Sequence, residues 1–169
     1  MLPQFDYLDT IYCRANKTKL AELDVIYKKV AKIALDAPQT ESSLNVYKEM
    51  KWLPLHLRRQ LHLSNYMFRI IHDDCPTNFM NKFSYISGRS RNSESCNLYI
   101  NRSYSHKNFQ YLGAKCWNNL SADMRNLTDV DSFNKSYKKL LLDSILTDNN
   151  YTVDNSFDKF YTAISTTPR

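Results

Sequence analysis

Adjacent aspartates are the first residues of this sequence whose type and spacing could do chemistry. Asp73 and Asp74 end the run Ile71-His72-Asp73-Asp74. Two-metal catalysis needs carboxylates from separate elements converging on ions about 4 Å apart. Here both stand at one end of a helical stretch, beside a basic stripe, and no second carboxylate motif accompanies them. The pair reads as a helix stop. Zinc is the next candidate, because His62, His72, Cys75, Cys96, His106 and Cys116 offer the ligand types. Structural zinc sites come as two close pairs, and His72-x-x-Cys75 has no second pair to join, so no metal is expected. No serine sits in a GxSxG-like nucleophile turn. Gly88 and Gly113 are the only glycines, which excludes a Gly-rich loop cradling a nucleotide. No cofactor and no small-molecule substrate are expected.

A different constellation remains. Arg89, Arg91, Arg102, Lys107, Lys115 and Arg125 interleave with Tyr99, Tyr104, Phe109, Tyr111 and Trp117. Cations neutralise phosphates and release counterions, and exposed aromatic faces stack on unpaired bases. Trp117 is assigned to the core, as an anchor for the last helices. The arginines have no equally good structural role. The net charge of +6 is uneven: between Lys82 and Arg125, seven Lys/Arg face only Glu94 and Asp123. Past Asp143 the sign reverses, with Asp148, Asp154 and Asp158 against Lys159 and Arg169. A basic middle points to a polyanion, nucleic acid first.

The element that must position these groups is the stretch WLPLHLRRQLHLSNYMFRIIHD, from Trp52 to Asp73. Pro54 suits a first helical position, and the following run to His72, about nineteen residues at 1.5 Å each, makes a rod of roughly 28 Å. On a helical wheel Leu55, Leu57, Leu61, Leu63, Tyr66, Met67, Phe68, Ile70 and Ile71 cover more than half the circumference, the mark of a central helix packed on several sides. The remaining stripe holds Arg58, His62, Asn65, Arg69 and His72.

Before it, Asn16 or Thr18 caps a helix reaching about Leu35, with Leu20, Leu23, Tyr27, Val30 and Ala34 inward and Lys28, Lys29 and Lys32 beside them. Pro38 ends that helix. Ser42 or Ser43 caps a short one with Leu44, Tyr47 and Met50 inward. After Pro76 a short helix carries Phe79, Met80 and Phe83. Residues 87–108 turn Ser/Asn/Arg-rich and form an irregular basic loop. A short β-hairpin is expected between Leu98–Ile100 and Phe109–Tyr111. A helix or turn follows over Gly113–Leu120, then a brief turn capped by Ser121. Asp131 caps a last helix with Phe133, Tyr137, Leu140, Leu141 and Ser144 on one face.

The fold class is therefore mainly α, a small bundle of five or six helices. Residues 1–143 are expected to form the domain and residues 144–169 a polar, loose tail. The four cysteines have no regular frame, and no segment has eighteen uninterrupted apolar residues. The start MLPQFDYLD lacks the pattern of a signal peptide. A reducing compartment, cytoplasmic or nuclear, is expected, with no membrane partner.

Three segments together resemble a known family. LPQFDYLDTIYC with KTKLAELDVIYKKVAKIAL comes first, then LNVYKEMKWLPLHLRRQLHLSNYMFRIIHDDCP, then FQYLGAKCWNNLSADMRN with SFNKSYKKLLL. Order and spacing resemble the C-terminal, post-palm part of jockey-like non-LTR retrotransposon reverse transcriptases, over roughly residues 2–142. The motif positions are Trp52, Leu53, Pro54, Leu55, Arg58, Arg59, His62, Leu63, Gly113, Ala114, Lys115, Trp117, Asn118 and Arg125. The resemblance implies a thumb-like helical domain that holds template–primer nucleic acid beside a polymerase palm. It implies no catalysis by this chain itself, because that family's metal-binding aspartates lie in the palm. Arg58, Arg69, Arg89, Arg91, Arg102, Lys107 and Lys115 become the expected phosphate contacts. Ser121 departs from the family's usual proline and Lys32 from its common arginine, Cys13 stands near a position often held by tryptophan or glycine, and no C-terminal zinc knuckle is present. The alternatives are a helical protein–protein module and a retrotransposon relic without function.

Overall fold

In the computed structural model the described residues are 2–7, 9–12, 15–72, 80–85, 97–101 and 108–147, and the structure is mainly helical. Two single turns, α1 (Leu2–Asp6) and α2 (Asp9–Tyr12), precede the longer α3 (Lys17–Ala34) and α4 (Ser43–Met50). The central helix α5 runs Leu55–Ile71 and is followed by a 3-10 turn, Met80–Lys82. Then come α6 (Phe109–Asn118), the short α7 (Ala122–Arg125) and α8 (Val130–Thr147).

Local chemistry sets most of these boundaries. Asn16 caps α3, its side chain accepting from the Thr18 N–H, and Asn108 caps α6 by accepting from Gln110. Ser121 caps α7 as expected, accepting from Met124. The expected cap of α8 is corrected from Asp131 to Asp129, whose carboxylate accepts from the Ser132 N–H at 2.7 Å. Pro54 lies one residue ahead of α5, its carbonyl accepting from Arg58 N–H. The short helix expected around Phe79–Phe83 is only the 3-10 turn within the described residues.

The expected hairpin is not formed. Phe109–Tyr111 opens α6, and Leu98 instead makes an isolated antiparallel bridge with Tyr85. The Asn108 cap explains the difference, because it starts a helix where the apolar triplet alone looked like a strand. No strand occurs among the described residues.

The chain packs around two centres. The first draws on residues up to Arg59 and on α8 from Lys138. Its cluster is Tyr27, Ala31, Val46, Tyr47 and Leu55, with Phe5, Leu23, Leu35, Met50 and Trp52 packed against it. Tyr27 is the hub: Phe5 meets its ring edge-on at 5.2 Å, Tyr47 and Trp52 lie at 5.8 and 6.1 Å, and its hydroxyl donates to the Leu53 carbonyl. Ala31 takes the inward place expected for Ala34, which is exposed. The second centre draws on Gln60–Tyr137. There Phe68 stacks on Phe133 at 4.4 Å and lies 6.4 Å from Trp117. Gly113 permits a close approach, since a Cβ on it would lie 2.5 Å from the Met67 sulfur. On α8, Phe133, Tyr137, Leu141 and Ile145 are buried, while Leu140 is exposed against expectation. A 4-4-4 spacing, not 4-3-1-3, marks the inward stripe.

With so few glycines, two helices end on other residues in the left-handed conformation. Asp36 has φ 54° after α3 and Lys51 has φ 52° after α4. Ala37 N–H then reaches back to the Lys32 carbonyl and Trp52 N–H to the Tyr47 carbonyl, the six-to-one bond of a Schellman end. A left-handed residue with a Cβ costs roughly 1–2 kcal/mol, while a glycine gives back part of that through unfolded-state entropy. Asp36→Gly and Lys51→Gly are each expected to raise stability by up to about 1 kcal/mol, read as a higher urea midpoint. A fall in the midpoint would mean that side-chain contacts outweigh backbone strain at that position.

Candidate nucleic-acid interface

The start of α5 gathers a group of charged and titratable side chains. Arg58 is half-buried and forks onto Asp6 of α1, its Nε and Nη2 both donating to the carboxylate. Asp9, itself buried, adds a second nearby negative charge. Arg59 turns inward and is 4% exposed, with Nη2 3.6 Å from Asp24 Oδ1 of α3. That distance is an ion pair without a hydrogen bond, and among the described residues the Arg59 Nη1 has no hydrogen-bond partner. His56 is buried beside it, and burial first, then the Arg59 charge, hold its pKa down to about 3. The imidazole is therefore neutral at ordinary pH.

Two acids carry this arrangement that the sequence did not single out. Asp24 had a legible signal, because it lies four residues after Leu20 and three before Tyr27, on the inward side of α3. Asp6 had none, since nothing local couples it to a residue 52 positions away.

The rest of the expected stripe is used in varied ways. His62 is half-buried. Asn65 donates to the Asn134 side chain at 3.1 Å, and the His72 ring stacks on Phe68 at 4.1 Å. Arg69 is exposed. Lys115 is buried on α6, its ammonium 5.8 Å from the centre of the Tyr111 ring. Arg89, Arg91, Arg102 and Lys107 lie outside the described residues, as do Asp73 and Asp74. Of the six zinc-type side chains, Cys116 is buried with its thiol 3.0 Å from the Ser64 hydroxyl, while Cys75, Cys96 and His106 lie outside the described residues.

The motif residues have architectural places. Leu53, Pro54 and Leu55 are buried where the chain enters α5, and Trp52 packs on Tyr27. Trp117 is buried beside Phe68. Asn118 holds Leu98 at both backbone groups, its Oδ1 accepting from the N–H at 2.8 Å and its Nδ2 donating to the carbonyl at 2.9 Å. Only an amide offers a donor and an acceptor side by side for this purpose. Arg125 donates to the Asn97 side chain in the same region. The exposed described cations are lysines for the most part: Lys19, Lys29, Lys51, Lys82, Lys135, Lys138 and Lys139, with Arg69.

Comparison with protein-family models, with curated proteins and with solved structures finds no match to this chain.

His56 makes stability depend on pH. Its pKa is lowered from 6.5 to about 3 in the folded chain, so between those values the unfolded chain binds a proton that the folded chain refuses. The contribution is complete above pH 6.5 and shrinks by about 1.4 kcal/mol per unit as the pH falls. Urea midpoints measured from about pH 7 to about pH 5, above most carboxylate titration, are expected to decline. His56→Leu is expected to flatten that decline. An equally steep profile in the variant would assign the dependence to other groups.

Proposed function

We propose that this chain is the thumb-like, post-palm part of a non-LTR retrotransposon reverse transcriptase, which binds template–primer nucleic acid and is not catalytic by itself. The observation that carries the reading is the combination of WLPLHLRRQLHL with GAKCWNNL in one chain. The buried places of Leu53, Leu55 and Trp117 support a structural signature. The net charge of +6 supports a polyanionic partner. In this reading Arg69 and the basic segment with Arg89, Arg91, Arg102 and Lys107 meet phosphates, and Arg58 acts mainly through its bond to Asp6. The partners are RNA, DNA or their hybrid, together with a polymerase palm.

A second reading, a helical protein–protein module, is favoured by one feature of α3. Val25, Ile26 and Ile33 are 49%, 50% and 72% exposed and lie on the side of the helix away from Leu20 and Tyr27.

One set of variants separates the two. By fluorescence anisotropy the intact chain is expected to bind an RNA/DNA hybrid with little sequence preference, with affinity falling steeply between about 50 and 200 mM salt. Reversing Arg89, Arg91 and Arg102 to Glu should abolish this binding, Arg69→Gln should reduce the salt slope by about one, and Arg58→Gln should lower stability more than binding. Val25→Ser with Ile33→Ser should leave binding unchanged. Absence of binding at low salt, or binding indifferent to salt, would overturn the nucleic-acid reading.

A further inference from the structure

Lys115 is a cation placed against its own chemistry. The residue is 6% exposed, and its Nζ is buried with no hydrogen-bond partner among the described residues. Its contact is the half-buried Tyr111 ring, 5.8 Å away. Taking an ammonium out of water is costly, and a cation–π contact returns only part of that cost. Burial accordingly holds the amine's pKa below that of an ordinary lysine. Packing alone does not require a lysine. Gly113 and Cys116 are the α6 residues set against Met67 and Ser64 of α5. Lys115 lies about 200° from Gly113 around the helix axis, two residues at 100° each. A methionine would keep the length there without the charge.

A long, flexible stem distinguishes lysine from other ways of placing charge under a surface. The ammonium lies against the Tyr111 ring. We infer that Lys115, with Tyr111 as its wall, is a receptor for a single phosphate group of a bound ligand. The choice of phosphate rests on the nucleic-acid reading above; the unmet counter-charge at Nζ does not.

Two phosphate sources distinguish the site from that reading: inorganic tripolyphosphate, which has no bases, and an RNA/DNA hybrid. Melting temperature and Kd are measured for the intact chain and for Lys115→Met, which keeps length and removes charge. Without ligand, Lys115→Met is expected to melt no lower than the parent chain, because an unpaired buried charge has gone. Tripolyphosphate should raise the melting temperature of the parent chain and of Lys115→Arg, and leave Lys115→Met unmoved. An equal rise in all three overturns the inference, and so does a much lower melting temperature for Lys115→Met, which would reveal an internal partner. If Lys115→Met does not fold, the parent chain carrying 13C-methylated lysines supplies the readout. A tripolyphosphate-induced shift of the Lys115 resonance sustains the site, and its absence overturns it. A response to tripolyphosphate with no hybrid binding keeps the site and removes the nucleic-acid reading. Hybrid binding untouched by Lys115→Met, with no tripolyphosphate response, does the reverse.

Discussion

A charge or titratable ring that enters a protein interior must be neutralised there, and the first turn of α5 meets that constraint three times. Arg58 takes the Asp6 carboxylate and Arg59 stands against Asp24. His56 meets it by remaining neutral, since burial and the Arg59 charge both disfavour its protonated form. Such pairs add little net stability over apolar side chains of the same volume. What they add is a penalty for wrong packing, because a slipped α1 or α3 would strand a guanidinium or a carboxylate without its partner. Apolar contacts alone tolerate small shifts. The charges around α5 therefore favour one register, and the Tyr27 cluster packs beside them.

The same economy governs the backbone. Asp36 and Lys51 occupy left-handed helix ends where glycine is the usual choice. Asn16, Asn108, Ser121 and Asp129 satisfy N–H groups at helix starts. Asn118 goes further and, beside the Tyr85 bridge, bonds both backbone groups of Leu98 from a helix side chain. A mainly helical structure can thus hold a short extended segment beside its helices.

How much of this was legible in the sequence follows from the range of each signal. The mainly helical class, the breadth of α5, the caps at Asn16 and Ser121 and the interior place of Trp117 all come from periodicity or from residues a few positions apart. Asp129 was missed for Asp131 because both precede the same apolar face and sequence alone gives no φ. The strand expected at Phe109–Tyr111 failed because three apolar residues have no decisive period, and the Asn108 cap decided it. The candidate site was less legible. A basic stripe on a wheel does not say which cations are already matched, and Arg58 and Arg59 meet acids from elements far away in the chain. Only Asp24, a carboxylate on an inward face, announced that a cation would come to meet it.

This difference bears on what a sequence signature can mean for the chain. Trp52, Leu53, Leu55, Gly113 and Trp117 are held by packing, and Arg59 and Asn118 by internal bonds. Selection on folding alone would retain them, because each change opens a cavity, crowds Met67 at Gly113 or strands a buried polar group. The exposed cations, Arg69 and the surface lysines, are under no such constraint, since a surface lysine can change at almost no cost in stability. A fold signature and a phosphate-binding surface can therefore diverge independently in one chain, and resemblance in the first does not secure the second. Under the proposed receptor role, Lys115 would be the residue at which the two meet. It lies inside the GAKCWNNL motif, yet folding gains nothing from a buried, unpartnered ammonium. The receptor role proposed for Lys115 would repay that cost.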